Sequence, residues 1–515
     1  MKNLPTGISA FQEIRSRNVV YVDKTQLIYN IISKEKYYFL SRPRRFGKSL
    51  TVSTIAEIYA GNKELFRGLW IEDHWDWSKV HPVIHLSFNG LNYRDLGLTK
   101  VLATEMTKTA EKHDIILQSK DAPSMFRELI ETLSQKKGKV VILIDEYDKP
   151  LTDFLEKERL PQALENRDIL RNFYGMIKAL DDSIEFFFMT GVSKFSHVNL
   201  FSQLNNLTDI SMSSRYATLT GYTQEEFENY FSEWITSLVA SNPGQTREGL
   251  LAAIKTWYNG YTFDAKHFVY NPYSILLFLA DGSFNAYWFK TGTPLFLINL
   301  LKEKQFFILN DLRAHISVFD SFDLENIEPM ALMFQTGYLT IKSVDWETRI
   351  FVLDYPNREV SEAMQNQLIG ALLNRYPSQA AIPVHDVRTA FLQNDTERAM
   401  EVIQSLFADV PYDLFRGKPE GFYHALVHLL FRYLGLFIDS EVHTSGGRMD
   451  AVVQTPTHVY ILEFKINTGA DEAFRQIVEK GYADRYHITG KPIIGMGISF
   501  DTANRKVGEW KTERL

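Results

Sequence analysis

The chain has 515 residues, 45% hydrophobic and 23% charged, with 28 Gly and 17 Pro; these ordinary globular values exclude collagen-like, low-complexity and disordered classes. At roughly 150 residues per domain there is room for about three domains. A net charge of -7 excludes a uniformly basic nucleic-acid coat, and the absence of cysteine excludes disulfide frameworks, thiolate-held zinc and thiol catalysis.

The opening MKNLPTGISAFQEIRSR is polar where a signal peptide needs an apolar core. The longest apolar stretch, 425–438, is short for a membrane span and carries His428 and Arg432. A cytoplasmic protein with no membrane partner is expected. Apolar runs at 36–40, 82–88, 139–144 and 184–189 read as buried strands, and 49–59 and 124–134 carry helix-period patterns between them. Strands separated by helices predict an α/β domain with a parallel sheet. From about 223 to 393 the pattern is mainly helical, broken by WYNGYTF (257–263) and YNPYS (270–274). The end is a second α/β unit. A helix at 422–434 precedes strands at 437–443, Arg448–Gln454 and 458–466, then a helix at 471–482 and a strand at 492–499.

The first strand leads into Ser41-Arg42-Pro43-Arg44-Arg45-Phe46-Gly47-Lys48-Ser49-Leu50 and straight on into a helix. Gly47-Lys48-Ser49 closes a Walker A-type phosphate loop, in which backbone N–H groups at a helix N-terminus receive phosphates. Gly47 admits a close backbone approach, Lys48 reaches the β/γ-phosphates and Ser49 ligates Mg²⁺. Arg45, Phe46 and Leu50 complete the expected nucleotide-binding run. The pattern has glycine six residues before the lysine, and Arg42 stands there instead. The apolar run 140–144 ends in Asp145-Glu146, as a Walker B strand does: Asp145 for Mg²⁺ through water, Glu146 for polarising the attacking water. A core strand closing in a solvated acidic turn has the same pattern. Thr190 ends the next strand, either as a polar sensor of the γ-phosphate or as a cap on the following turn. Lys194 and Arg215 are either charge stabilisers or solvated surface. Residues 1–50 hold ten Lys/Arg against three Asp/Glu, a basic end suited to phosphate or nucleic acid.

Near the C-terminus, Asp450 lies thirteen residues before Glu463-Phe464-Lys465, with the turn Thr455-Pro456-Thr457 between them. A hairpin is expected. Positions i and i+2 of a strand share a face, so Glu463 and Lys465 emerge together and Asp450 can lie opposite. Two carboxylates can hold Mg²⁺ or Mn²⁺ against a phosphodiester, with Lys465 orienting water or neutralising charge. Glu420 could add a ligand, and Gln476 could fix the substrate or Lys465. The same residues also suit an exposed salt bridge on a hairpin. From Tyr412 onward Lys/Arg and Asp/Glu balance at thirteen each, so any grip on DNA needs the rest of the chain.

VVYVDKTQLI (19–28), YFLSRPRRFGKSL (38–50), VVILIDEYDKPL (140–151), FFMTGVSKFS (187–196), WYNGYTF and the Asp450/Glu-x-Lys pair together resemble a bacterial family joining an AAA-ATPase-like domain to a C-terminal PD-(D/E)XK nuclease domain. The resemblance spans nearly the whole chain, and the family itself carries RPRRFGKS at the loop. It implies an additional-strand P-loop core (1–220), a helical lid and middle region (221–395) and a restriction-endonuclease-like domain (396–515). It places Tyr270-Asn271-Pro272 on the lid, near the base or as a switch. Gln476 matches the extra Gln/Tyr motif of RecB-type nucleases, whereas Tyr482 follows six residues later instead of the usual four. The expected function is ATP binding and hydrolysis coupled to metal-dependent cleavage of DNA. The alternative is a nucleotide-dependent switch or scaffold whose nuclease-like domain binds without cutting. Such ATPases often borrow an arginine from a neighbouring copy, so a homo-oligomer is a further expectation.

Overall fold

The computed structural model describes residues 2–194, 206–292, 295–307, 309, 311–319, 323–408, 419–435, 439–445, 448–501, 504 and 506–515, with the backbone alone for 419–425 and 439–450. Phe195 and Ser196 of the FFMTGVSKFS motif, and Phe437 and Ile438 at the start of an expected strand, lie outside the described residues. Two compact units divide the chain: residues 1–292 with 310–359, and residues 293–309 with 360–515.

The first unit is built on β1 (Tyr37–Ser41), β2 (Val83–Ser87), β3 (Val140–Asp145), β4 (Ile184–Gly191) and β5 (Thr208–Asp209), all parallel in the order β2-β3-β4-β1-β5. Every residue of β1 and β3 is buried, which is why these strands read as continuous apolar runs. Each fully buried large apolar side chain contributes about 1.5–3 kcal/mol. Parallel neighbours need crossovers, and the helices Lys48–Tyr59, Leu98–Lys112, Ala122–Lys137 and Leu160–Ala179 supply them. The third begins where Asp121 accepts the Ser124 N–H at 3.0 Å, and Gly138 follows its end. The sheet has the additional strand: β4 lies between β1, which feeds the phosphate loop, and β3, which ends in Asp145. Register pairs Ser41 with Gly191 and Ser87 with Asp145, so the carboxyl ends of these strands form one edge. Ligands of open α/β sheets bind at that edge.

The middle of the chain is helical, with a core of Phe227, Phe231, Ile254, Tyr258, Tyr270 and Phe278 that also takes in Val20 and Val22. Its first helix, Gln224–Tyr230, opens with a capping box between Thr223 and Glu226. Two small sheets go beyond the helical expectation. β6 (Tyr261–Thr262) pairs with β7 (Phe268–Val269), and β8 (Leu312–His315), β9 (Thr340–Asp345) and β10 (Ile350–Asp354) form an antiparallel sheet in the order β8-β10-β9.

The second unit carries a mixed sheet, β11 (Asp439–Ser445), β12 (Arg448–Gln454), β13 (Val459–Ile466), β14 (Ile493–Asp501) and β15 (Lys506–Arg514), ordered by sequence. β13 and β14 are parallel, joined through the helix Ala470–Glu479, and the other pairs are antiparallel. This is the α/β arrangement expected, with β15 as an additional edge strand. No helix among the described residues is long and apolar enough to cross a membrane.

Candidate functional site

β1 brings the chain to the carboxyl edge of the sheet, and a tight turn starts the next helix at Lys48. Gly47 makes that turn with φ of 91°, and no atom stands within 4 Å of where its Cβ would be. The backbone is therefore open to close approach. Lys48 is buried and donates from Nζ to the carbonyl oxygens of Arg42 and Pro43, both at 2.9 Å. An ammonium has three protons, so among the described residues one donor is left for an anion. Burial pulls the Lys48 pKa below the usual lysine range, while the charges of Asp145, Glu146 and Asp148 oppose that shift. Ser49 and Leu50 follow on the same helix and line a cavity of ≈ 360 Å³ with Arg45, Gly47 and Lys48.

Arg42 does something other than bind phosphate. Only 1% exposed, it donates from Nη1 to Ser41 O at 2.9 Å and Ser211 O at 2.6 Å, and from Nη2 to Tyr216 O at 3.4 Å. Its guanidinium lies 3.8 Å from the centre of the Phe263 ring. The residue in the glycine position thus fastens the loop to the segments after β5 and β6. Phe46 shares this role, since its buried ring meets Tyr261 and Phe263 edge-on at 4.8 and 5.9 Å. Two further attachments were not foreseen. The Trp288 indole N–H donates to Arg44 O at 3.0 Å, and a Cβ on Gly337 (φ 90°) would stand 2.7 Å from Pro43 Cβ.

β3 sets Asp145 and Glu146 beside this loop. Asp145 is buried and accepts the Thr190 hydroxyl at 2.6 Å through Oδ1. Thr190 therefore orients the carboxylate, with its proton engaged there and its side chain fully buried. Glu146 lines the cavity with a left-handed backbone, φ 55°. Burial pushes its carboxyl above the ordinary range, and the Asp145 charge adds to the shift. Asp148, unremarked in the sequence, is buried and accepts the N–H groups of Val192 and Ser193 at 3.1 and 2.7 Å. It fixes the chain leaving β4. Its signal was the third acid of Asp145-Glu146-Tyr147-Asp148. Lys194 is neither a free stabiliser nor solvated: it is buried and paired with Asp209 of β5 at 2.7 Å. Arg215 is exposed.

The cavity is also lined by apolar residues remote in sequence, among them Ile8, Val20, Val22 and Leu276. Of the expected Tyr270-Asn271-Pro272 trio, Pro272 lines it, followed by Tyr273. Tyr270 is buried and donates to Gln224 Oε1 at 2.6 Å, and Asn271 caps the helix Pro272–Asp281 by accepting the Tyr273 and Ser274 N–H groups at 2.9 and 3.3 Å. An apolar wall beside a loop of N–H donors, a buried ammonium, a hydroxyl and two acids can hold a nucleobase, its phosphates and a hydrated divalent cation.

In the second unit the hairpin register pairs Asp450 with Glu463 across β12 and β13. Directly opposed residues of an antiparallel pair are nearest neighbours; the Asp450 side chain lies outside the described residues. Glu463 is 0% exposed, unlike a member of a solvated salt bridge. The Gln476 amide, carried on the helix Ala470–Glu479, donates from Nε2 to Glu463 Oε1 and accepts from Lys465 Nζ at 2.7 Å. Lys465 Nζ stands 3.9 Å from Glu463 Oε1. Gln476 thus bridges acid and ammonium. Tyr482 packs on the apolar cluster around Val459 and Ile477, with Lys480 over its ring at 5.9 Å. Glu420 opens the helix Pro419–Leu434, and its side chain lies outside the described residues. Among the described residues, no three His, Cys, Asp or Glu side chains come together as a metal cluster.

A family model described as predicted AAA-ATPase matches residues 5–201, and one for the PD-(D/E)XK nuclease superfamily matches residues 418–510. Among solved structures, the Aeropyrum pernix Orc1 protein in complex with DNA is 12% identical, covering 67% of this chain and 91% of its own, at a TM-score of 0.25. An uncharacterized protein in the vnfD 5′ region of Azotobacter chroococcum mcd 1 is 40% identical over 533 residues, covering 100% of this chain and 99% of that protein. The chain belongs to one family with the Azotobacter protein, a bacterial family in which this member joins an AAA-ATPase-like domain to a C-terminal domain of the PD-(D/E)XK nuclease superfamily.

Proposed function

We propose that the chain binds and hydrolyses ATP with Mg²⁺ at the Lys48 loop, and that its C-terminal domain cuts DNA phosphodiesters with Mg²⁺ or Mn²⁺. Residues 1–220 carry the nucleotide chemistry in this reading, 221–395 form the lid and middle region, and 396–515 form the nuclease. The observation that carries it is the convergence at one sheet edge of a buried Lys48, a Thr190-oriented Asp145 and a Glu146 whose carboxyl is pushed upward. The lysine neutralises phosphate charge, Ser49 and Asp145 hold the cation, and Glu146 takes the proton of the attacking water. A bound divalent cation would supply charge neutralisation to the phosphates.

The nuclease part rests on the buried Glu463 that Gln476 ties to Lys465, with Asp450 as its register partner. The two carboxylates hold the metal and Lys465 steadies the charge developing on the phosphodiester. The neutral balance of Lys/Arg and Asp/Glu from Tyr412 onward favours the second reading, a switch or scaffold that binds without cutting. Purified protein incubated with linear, circular and single-stranded DNA, with Mg²⁺ or Mn²⁺ and with or without ATP, separates the two. ATP turnover together with metal-dependent cleavage that Glu463→Ala abolishes is the expected result. Turnover without cleavage of any DNA leaves the switch, and absence of turnover overturns the nucleotide assignment. We place the protein in the cytoplasm, where ATP and Mg²⁺ are at hand.

A further inference from the structure

Glu359 lies outside every motif read from the sequence, and it is 0% exposed. Its Oε1 accepts the backbone N–H of Trp288 at 2.6 Å, and its Oε2 accepts the Ser274 hydroxyl at 2.7 Å. Trp288 in turn donates its indole N–H to Arg44 O at 3.0 Å. Ser274 follows Tyr273, whose ring lies 5.0 Å from the Arg45 guanidinium and whose side lines the cavity. One carboxylate therefore holds two elements, and each of those elements grips one of the two adjacent arginines of the phosphate loop. The circuit begins and ends on that loop. A buried carboxylate is costly, and packing alone gives no reason for one here.

We infer that Glu359 is a positioning residue of the nucleotide site: its carboxylate clamps Trp288 and the helix Pro272–Asp281 against the phosphate loop, and protonating it loosens the clamp and weakens nucleotide binding. This rests on the ATP reading above. An ionised carboxylate accepts from every donor around it, whereas the neutral acid carries an O–H that must itself donate, so one bond is lost or reversed. Burial pushes the Glu359 carboxyl up to about 7, opposed by the Ser274 hydroxyl, by the N–H groups of Trp288 and Phe289, and by the Lys290 charge. The tyrosines that face it, Tyr258, Tyr261 and Tyr287, are shifted upward by burial and stay neutral through this range. Arg358, its chain neighbour, lies over the Trp257 ring at 5.0 Å.

The test is the affinity for a Mg²⁺-bound, non-hydrolysable ATP analogue, titrated between pH 6 and 8.5. Parent protein should bind about three- to tenfold more tightly at the upper end, with a midpoint near the Glu359 value. Glu359→Gln keeps a neutral amide that can accept from Trp288 and donate to Ser274, so its profile should lack the Glu359 step and keep only what the analogue and the other groups of the site contribute. The titration of the analogue itself is common to both proteins and cancels in the comparison. Trp288→Phe keeps the backbone N–H but removes the indole donor, and should bind more weakly at every pH. A Glu359→Gln profile that follows the parent, or a Trp288→Phe variant with parental affinity, overturns the role of Glu359 while leaving the nucleotide site standing. A parent that binds no nucleotide at any pH overturns both.

Discussion

Arg42 stands where loops of this type carry their first glycine, and its guanidinium is engaged by carbonyls and an aromatic ring of the protein itself. Arg42→Gly, nominally a repair of the motif, should therefore cost about 3 kcal/mol from charged hydrogen bonds and a desolvated cation–π contact. A lower urea midpoint and slower ATP turnover are the expected readings; a glycine variant as stable as the parent contradicts them. Lys48→Ala should leave the fold intact, because burial already opposes the charge it removes, and should abolish ATP turnover in a phosphate-release assay. For Glu146→Gln, nucleotide binding survives on Lys48 and Asp145 while hydrolysis slows by about 100-fold or more; loss of binding would give Glu146 a different task. The meeting of these positions at one sheet edge was legible because Gly-Lys-Ser and Asp-Glu follow apolar strands in a fixed order. The work of Arg42 was not legible, because Ser211, Tyr216 and Phe263 come to it from distant parts of the chain.

At the scale of elements, β1 and β3 were evident as runs buried on both faces. β5 escaped because it is two residues long and is made a strand by its pairing with Tyr38 and Phe39. β8 alternates Leu312 and Ala314 with Arg313 and His315 over four residues only, too short a run to stand out, and β15 is largely polar and half-exposed. Both are strands because of their neighbours rather than their own composition. The β12–β13 hairpin was legible through its turn, where Thr455 Oγ1 accepts the His458 N–H at 3.0 Å, but the burial of Glu463 was not. Gly337 ends the helix Pro329–Thr336 against Pro43 of the phosphate loop. Gly337→Ala must adopt a left-handed backbone and displace Pro43, at about 1–3 kcal/mol. We expect a lower melting temperature together with weaker nucleotide binding by calorimetry. A stability loss with unchanged affinity would show that the contact does not shape the loop.

Across the whole molecule, the two sites can be tested apart. If Asp450 and Glu463 hold a metal, Mn²⁺ should raise the melting temperature of the parent, by about 2.7 kcal/mol of stability at a hundredfold excess over Kd. Asp450→Asn and Glu463→Gln should lose that shift, and Lys465→Ala should keep it while cutting poorly. Equal shifts in the parent and both carboxylate variants would mean that the metal sits elsewhere. Light scattering with and without an ATP analogue tests assembly: the expected result is a homo-oligomer in the nucleotide-bound form, and a monomer in both conditions counts against it. The anchoring of the phosphate loop also bears on how the protein is made. Ser211, Phe263, Trp288 and Gly337 all follow the loop by more than 150 residues. Synthesis runs from the N-terminus, so a nascent chain that has emerged only as far as β4 already carries Gly47-Lys48-Ser49, Asp145 and Glu146, with Lys48 and Gly191 holding the backbone of Arg42, yet it lacks the contacts that Ser211, Phe263, Trp288 and Gly337 make with Arg42, Arg44 and Pro43. The braces of the loop arrive late in translation, so a half-made chain displays the motif before the segments that fasten it exist.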